Sequence, residues 1–421
     1  MRVLFLSKSG DGAWLVAVLG KNGHHVDWTL DESDKYAETL EGIVPKFLKH
    51  IPDPDPYDLI VFDECTYGED ADEMRKVTPV IGCSAFAEKL EDDRLFGIEF
   101  MQQCGIVVPP YEPFDNVDKA IKWLEGNNKR YVLKPSGHVK DKALTYVSES
   151  AEDMIGFLEK SNGSIKEFVL QEFIEGTEVS TNAWFNGERF FALDHSLEEK
   201  KFMSGGIGPN TGCSGVTYWM PEGETKLFKE GLGKIASKLA AANFVGPIDL
   251  NTICTKNAAY GLEWTPRFGY EGISLQMSLL PMEIGEFLFK VATGEEMTPF
   301  DSKANFAASV RITVPPYPKE YEGERTPSKP VKGITPEDID TFYLSDVKVD
   351  EDYELQTLGT DGLVGAPVAT GDTIKEAFAA VQKKIDKLQI PDLQYRNDIA
   401  ECCERRYSEL SKMGWLDDAS E

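Results

Sequence analysis

Two short segments gather residue types suited to phosphate and metal chemistry. The run GGIGPNTG at Gly205–Gly212 is dense in glycine, and a backbone without side chains can approach an anion closely. It reads as a turn, with Gly208, Asn210, Thr211 and Gly212 as candidate substrate contacts. Further along, GLEWTPRFG at Gly261–Gly269 puts Glu263 and Thr265 on one face of a short apolar strand, with Arg267 and Gly269 just beyond it. Hard oxygen donors followed by a guanidinium suit a magnesium-bound nucleotide facing a second anionic substrate. Asp249, in GPIDLN, ends a strand ahead of the one carrying Glu263. Both carboxylates can then face one site, and Asn251 is a further possible oxygen donor.

The elements that must position these residues follow from apolar patterning. Val3–Leu6, His25–Trp28 and Leu59–Phe62 read as strands, with a turn at Ser7–Gly12 and a helix at Ala13–Lys21. That alternation predicts a parallel α/β unit at the N-terminus. Leu95–Cys104 reads as a helix that the prolines of Gly105–Pro113 break. A smaller α/β unit follows, with helices near Val117–Leu124 and at Ala151–Lys160 and strands at Tyr131–Lys134, Leu144–Val147 and Phe168–Gln171. A central unit runs from Glu178 to about Lys303 around a helix at Leu227–Ala242. Ala307–Val314 reads as a strand, Thr341–Asp361 as strands and turns, and Thr373–Leu388 and Arg396–Met413 as helices.

Composition bounds the possibilities. A chain of 421 residues corresponds to about three domains of ~150 residues. With 44 basic and 72 acidic side chains, its net charge is −28. That disfavours grip on a nucleic-acid backbone, which works through Lys and Arg. No apolar run reaches the ~18 residues of a membrane span. The seven cysteines are scattered without CxxC spacing, which argues against zinc and a disulfide framework. With no signal segment at the start, the chain reads as cytoplasmic.

The two segments, in this order, resemble the ATP-grasp ligases, and within them the phosphoribosylamine–glycine ligase (GAR synthetase) family, which carries GPNTGG and later EFNxRFGDPE. ASVRITVPPYPKEYEGE at Ala308–Glu324 is similar to the start of that family's C-terminal domain, and YRNDI at Tyr395–Ile399 to its YRRDI ending. The resemblance implies an ATP-grasp fold, α/β and α+β overall. An N-terminal parallel, Rossmann-like α/β domain would span residues 1–94 and the ATP-grasp domain 95–303, with a lid at about 110–172 and a core at about 173–303. A C-terminal β-rich domain would span 304–421.

The resemblance also implies roles. Within FVLQEFIEGTEVS, Gln171, Glu172, Phe173 and Ile174 fall at the hinge that holds adenine, and Glu178 where ribose hydroxyls are held. Lys134, in YVLKPS, would reach the ATP phosphates. Arg94 stands where the family has its second nucleotide lysine, which changes a point charge into a planar fork. In the lid loop, Gly137, Lys140 and Lys142 are candidate phosphate closers. Glu263, Asp249 and Thr265 would hold Mg²⁺ or Mn²⁺, Thr265 replacing the family's asparagine. Arg267 resembles the arginine facing the acylphosphate, and Lys200 and Lys201 lie near the family's DHKR.

The small-substrate segments depart from the family most. GSGGREHA becomes SKSGDGAW at Ser7–Trp14, GPE becomes FDECTYGED near Asp63–Glu64, and RFGDPE becomes RFGYEG. The expectation is an ATP-dependent carboxylate–amine ligase, a monomer or homodimer, whose acid and amine differ from glycine and phosphoribosylamine. An orthodox GAR synthetase of purine synthesis and a non-catalytic nucleotide-binding relative are the alternatives.

Overall fold

A computed structural model describes residues 1–136, 145–161, 165–295, 301–319 and 325–417. Gly137, Lys140, Lys142 and the first residue of the expected strand Leu144–Val147 lie outside the described residues. The N-terminal strands β1 (Arg2–Ser7), β2 (His25–Leu30), β3 (Leu59–Phe62) and β4 (Val80–Ile81) form a parallel sheet in the order β2-β1-β3-β4. The VLFL and LIVF runs of its two central strands are fully buried, as parallel strands covered on both faces require. The helix Ala13–Lys21 packs on this sheet, and its Trp14 Nε1 donates to the carbonyls of Ile339 and Phe342. The first strand–turn–helix unit is thereby tied to the C-terminal part of the chain.

A second, antiparallel sheet holds β5 (Tyr111–Phe114), β6 (Tyr131–Pro135), β7 (Tyr146–Val147) and β8 (Phe168–Glu172) in the order β5-β8-β6-β7. The helices Val117–Glu125 and Ala151–Lys160 cover it, N-capped by the side chains of Asn116 and Ser150. Pro113 does not stop β5 from forming, because β5 is an edge strand, where a missing N–H is tolerated.

Among the described residues the third sheet has nine strands. β9 (Thr177–Phe185), β10 (Phe190–Met203), β11 (Ile207–Trp219), β12 (Gly246–Cys254), β13 (Ala259–Thr265), β14 (Phe306–Val310) and β15 (Ile312–Thr313) join the strand Leu363–Gly371. The order is β13-β12-β9-β10-β11-β14, then Leu363–Gly371, then β15, with Phe342–Leu344 also paired to Leu363–Gly371. One sheet therefore runs straight across the junction expected at residue 303.

Several elements differ from the sequence reading. Gly205–Gly212 is mostly strand: the turn is confined to Ser204–Gly206, and β11 starts at Ile207. The positive φ values of Gly205 and Gly206 let β10 fold back onto β11 in three residues. The expected helix Leu227–Ala242 is broken into Lys226–Glu230, a 3-10 turn at Leu232–Ile235 and Ala236–Ala241. The break falls at Gly231, which leaves helical backbone geometry (φ −116, ψ −107). The expected strand Ala307–Val314 is interrupted at Arg311, whose side chain turns to a buried carboxylate. The last two helices are trimmed to Ile374–Ile385 and Ile399–Lys412.

Candidate active site

Strand parity builds the site. Ladder partners place Ser180 beside Ser196 and Asn251, Asn182 beside Asp194 and Asp249, Asn251 beside Glu263, and Asp249 beside Thr265. Side chains alternate across a sheet, so every second residue of β9, β10, β12 and β13 points to the same face. That face floors a cavity of about 280 Å³ lined by Ser180, Asn182, Glu198, Lys200, Asp249 and Asn251, among others. Glu263, Thr265, Arg267, Gly269, Gly212 and Arg311 line it as well.

Charges of opposite sign interleave here. Glu178 Oε1 accepts from Lys200 Nζ at 2.8 Å and from Asn251 Nδ2 at 2.9 Å. Arg94 Nη1 donates to Glu263 Oε2 at 3.1 Å. Arg94 reaches β13 because it opens the helix Arg94–Gln103, capped by Asp93. Gly97 lets that helix close down, since a Cβ there would lie 2.9 Å from the Leu90 carbonyl and 3.5 Å from the Trp264 ring. Lys134, buried at the end of β6, reaches across to the Leu262 carbonyl at 3.3 Å.

Their protonation follows from these neighbours. Burial would raise the Glu263 carboxyl, but Arg94, Lys134 and Lys200 overcome it and hold it well below the usual carboxylate range. Burial pushes the Lys134 ammonium down to about 8, helped by Arg94. Burial opposes charge on Lys200, yet Glu178, Glu198 and Glu263 carry it upward. Asp249 is raised by burial and by Glu198.

Two acceptor oxygens in this cavity have no hydrogen-bond partner: Asp249 Oδ2 and Asn251 Oδ1. They share the face of Glu263, so the donor set is hard oxygen throughout, which fits Mg²⁺ or Mn²⁺. Among the described residues no three His, Cys, Asp or Glu side chains form a metal cage. Mg²⁺ ordinarily takes one or two carboxylates together with phosphate oxygens and water, so this set suffices for a metal that arrives with a nucleotide.

The hinge residues lie at the junction of β8 and β9. Gln171 is buried, and its Nε2 lacks a partner, which leaves a polar atom suited to a ring nitrogen. Glu172 is paired with Lys129 at 2.7 Å. The Phe173 amide donates to the Arg130 carbonyl, and the Arg130 guanidinium lies 3.7 Å from the Phe173 ring centre. That N–H is therefore committed within the protein. Ile174 is half-buried in the linker.

Other expected residues stand apart from the cavity. Lys201 follows Lys200 on β10 and so takes the opposite face, where its Nζ reaches the Gly208 carbonyl at 3.3 Å. Gly208 and Asn210 are exposed on β11 and do not line the cavity. Thr211 hydrogen-bonds the Lys200 carbonyl at 2.9 Å, so it props the strand that carries Lys200. The Tyr395–Ile399 segment acts on the same hairpin. Buried Arg396 binds Asp398 and the Lys201 carbonyl, and Asp398 accepts from the Gly205 amide.

Three charged residues of the cavity were missed from sequence. Glu198 shares the parity of Lys200, a signal present in LEEKK once Lys200 is known to face inward. Arg311 and Glu271 form a buried two-point ion pair at 2.9 and 2.8 Å. A lone arginine within the apolar SVRITV run was the available clue to it. Arg267 itself binds both Glu91 oxygens at 3.2 Å and separates the main cavity from a smaller recess beside the N-terminal sheet.

Known proteins resemble this chain in sequence and in fold. The phosphoribosylglycinamide synthetase ATP-grasp (A) domain family matches residues 92–271. The phosphoribosylamine–glycine ligase of Leptospira interrogans is 24% identical over 394 residues, 90% of each chain. Among solved structures, phosphoribosylamine–glycine ligase from Thermotoga maritima superposes with a TM-score of 0.73 at 23% identity, covering 94% of this chain and 100% of that one. The biotin carboxylase domain of Hydrogenobacter thermophilus 2-oxoglutarate carboxylase, solved with MgADP and bicarbonate, gives 0.63 at 11% identity over 100% and 99% of the two chains.

Proposed function

We propose that this chain, which is similar to ATP-grasp proteins of the GAR synthetase type, is an ATP-dependent ligase joining a small carboxylic acid to an amine through an acylphosphate. The observation that carries the reading is one shared strand face. It brings the unpartnered oxygens of Asp249 and Asn251 beside Glu263, under the cations Arg94, Lys134 and Lys200.

In this reading Glu263, Asp249 and Asn251 hold the metal that accompanies ATP, with Thr265 beside them. Mg²⁺ or Mn²⁺, when bound, neutralises charge developing on the transferred phosphoryl oxygens. Lys134 and Arg94 meet ATP phosphates, Gln171 meets the base, and Glu178 turns from Lys200 to the ribose. Lys200 and Arg267 stabilise anionic oxygens at the acyl end of the cavity, where the acid's carboxylate attacks the γ-phosphorus and ADP leaves. Fixed cations of this kind stabilise charge without reorganising during the step.

The acid sits at the Arg267–Gly269 end and differs from glycine, and the amine differs from phosphoribosylamine. The replaced segments at Ser7–Trp14 and Asp63–Gly68 support this, because they supply carboxylates where a phosphorylated substrate needs cations. Complementation of a purine-auxotrophic strain lacking GAR synthetase tests the substrate reading, alongside an ADP-release screen of acids against amines. No growth, with ADP release for another pair, is the expected result. Robust growth without purines would restore the orthodox enzyme. No ADP release with any pair would overturn the ligase.

A further inference from the structure

A second recess lies beyond Arg267, at the C-terminal ends of β1 and β3. Asp11, Asp63 and Glu64 form its polar wall, and Phe5, Trp14 and Ile273 its apolar wall. Its free space is about 20 Å³, enough for one water-sized group. Arg267, Gly269 and Tyr270 border both this recess and the main cavity, so the two meet at the acyl end of the site.

The hydrogen bonding here is one-sided. The Ser7 hydroxyl and the Gly12 amide both donate to Asp63 Oδ2, at 2.6 and 2.9 Å. Asp63 is only 5% exposed, and its other oxygen, Oδ1, has no partner. Ser9 Oγ lies 2.7 Å from Asp11 Oδ2 and 2.6 Å from Glu64 Oε1. One hydroxyl proton cannot serve both carboxylates. Gly12 has to be glycine, because a Cβ would stand 2.5 Å from Asp63 Oδ2 and from the Phe5 ring.

The countercharge is partial. Arg267 is bound to Glu91 and, with Arg311 at Asp11 and Lys8 at Glu64, favours the charged carboxylates, but burial outweighs these cations and raises the carboxyls of Asp11, Asp63 and Glu64, with Asp361 adding to the negative field at Asp11. A phosphate dianion here would meet three carboxylates. An ammonium ion is a water-sized head that brings three N–H donors and a positive charge.

We propose that this recess is the acceptor subsite of the ligase and that its substrate is a phosphate-free primary amine, arriving as an ammonium ion. The proposal rests on the ligase reading above. Bound ammonium gives one proton to a carboxylate of the recess, and its freed lone pair attacks the acyl carbon of the acylphosphate. The C–O bond to phosphate breaks, its electron pair leaves on phosphate, and the nitrogen's second surplus proton goes to that phosphate. An amide and inorganic phosphate result.

The test uses the full chain and measures binding of ethylamine and 1,4-diaminobutane by titration calorimetry at constant ionic strength. Tetramethylammonium, which has no N–H, is the control cation, and ribose 5-phosphate is the competitor. Saturable amine binding is expected, absent for tetramethylammonium and undisturbed by ribose 5-phosphate. Asp63→Asn should weaken it at least about tenfold. Asp63 also anchors Ser7 and Gly12, so Glu64→Gln, expected to weaken binding in the same way, is the companion variant. Affinity for Mg·ATP is measured on the same samples: its loss would count against the ligase reading, whereas unchanged amine affinity in both variants would overturn this one. Displacement of the amine by ribose 5-phosphate, equal binding of tetramethylammonium, or no amine binding would overturn it too.

Discussion

Arg94 Nη1 stands 3.1 Å from Glu263 Oε2, so the group expected on nucleotide phosphates and the group expected on the metal hold each other. The pair spans the first turn of one helix and the end of β13. On the proposed reading, Mg·ATP would draw the cation to phosphate and the carboxylate to metal, leaving neither charge uncompensated. A lysine at position 94 could supply the charge but not the fork.

Arg94→Ala should therefore raise the KM for ATP. A hydrogen bond to a charged group contributes about 1.5–3 kcal/mol, which is roughly tenfold to a hundredfold. Arg94→Lys should recover part of that loss. Steady-state kinetics over an ATP series reads the effect, and an unchanged ATP dependence in the alanine variant would remove Arg94 from the phosphate site.

The Arg311–Glu271 pair, 7% and 4% exposed, joins the strand break after β14 to the RFGYEG segment. Removing one member leaves a buried charge alone, which costs about 3–5 kcal/mol. Arg311→Ala should lower the urea midpoint accordingly, and Arg311→Ala with Glu271→Ala should lower it by clearly less than the sum of the singles. Strict additivity would mean that the two side chains are not coupled.

Asp194, fully buried between Asn182 and Gln276 donors at 2.8 Å each, is raised by burial to about 8. An unfolded aspartate titrates near ~3.9. Between those values the folded chain binds the extra proton, so stability falls as pH rises through that window and levels off above it. Asp194→Asn, which mimics the protonated acid, lacks this term. Its urea midpoint should gain on the wild type from about pH 4 to about pH 8, whereas parallel curves would show that Asp194 stays ionised.

Much of the frame was legible because it rests on periodicity. The strands Leu59–Phe62 and the helices Ala13–Lys21 and Ala151–Lys160 follow directly from apolar runs, turn residues and a serine cap. Glu263 and Thr265 were readable as one face because a strand repeats every two residues. The same rule separates Lys200 from Lys201, but it could be applied to LEEKK only once β10 was known to be a strand. What escaped depends on long-range pairing. Arg311 meets Glu271 and Arg94 meets Glu263 across 40 and 169 residues, and no local pattern encodes such partners. The glycines at 205 and 206 announced a turn, but pairing with β10 decided that the residues after them extend.

We propose the face carrying Glu263, Asp249 and Asn251 as a metal–nucleotide site. Its most direct test compares Glu263→Gln with the wild type, measuring ATP affinity with and without Mg²⁺ and ADP formation once a working acid and amine are found. The substitution should leave thermal stability and Mg²⁺-free nucleotide affinity nearly unchanged, reduce the Mg²⁺-dependent gain in affinity, and abolish ADP formation. Normal turnover by Glu263→Gln, with the Mg²⁺ dependence intact, would contradict the assignment.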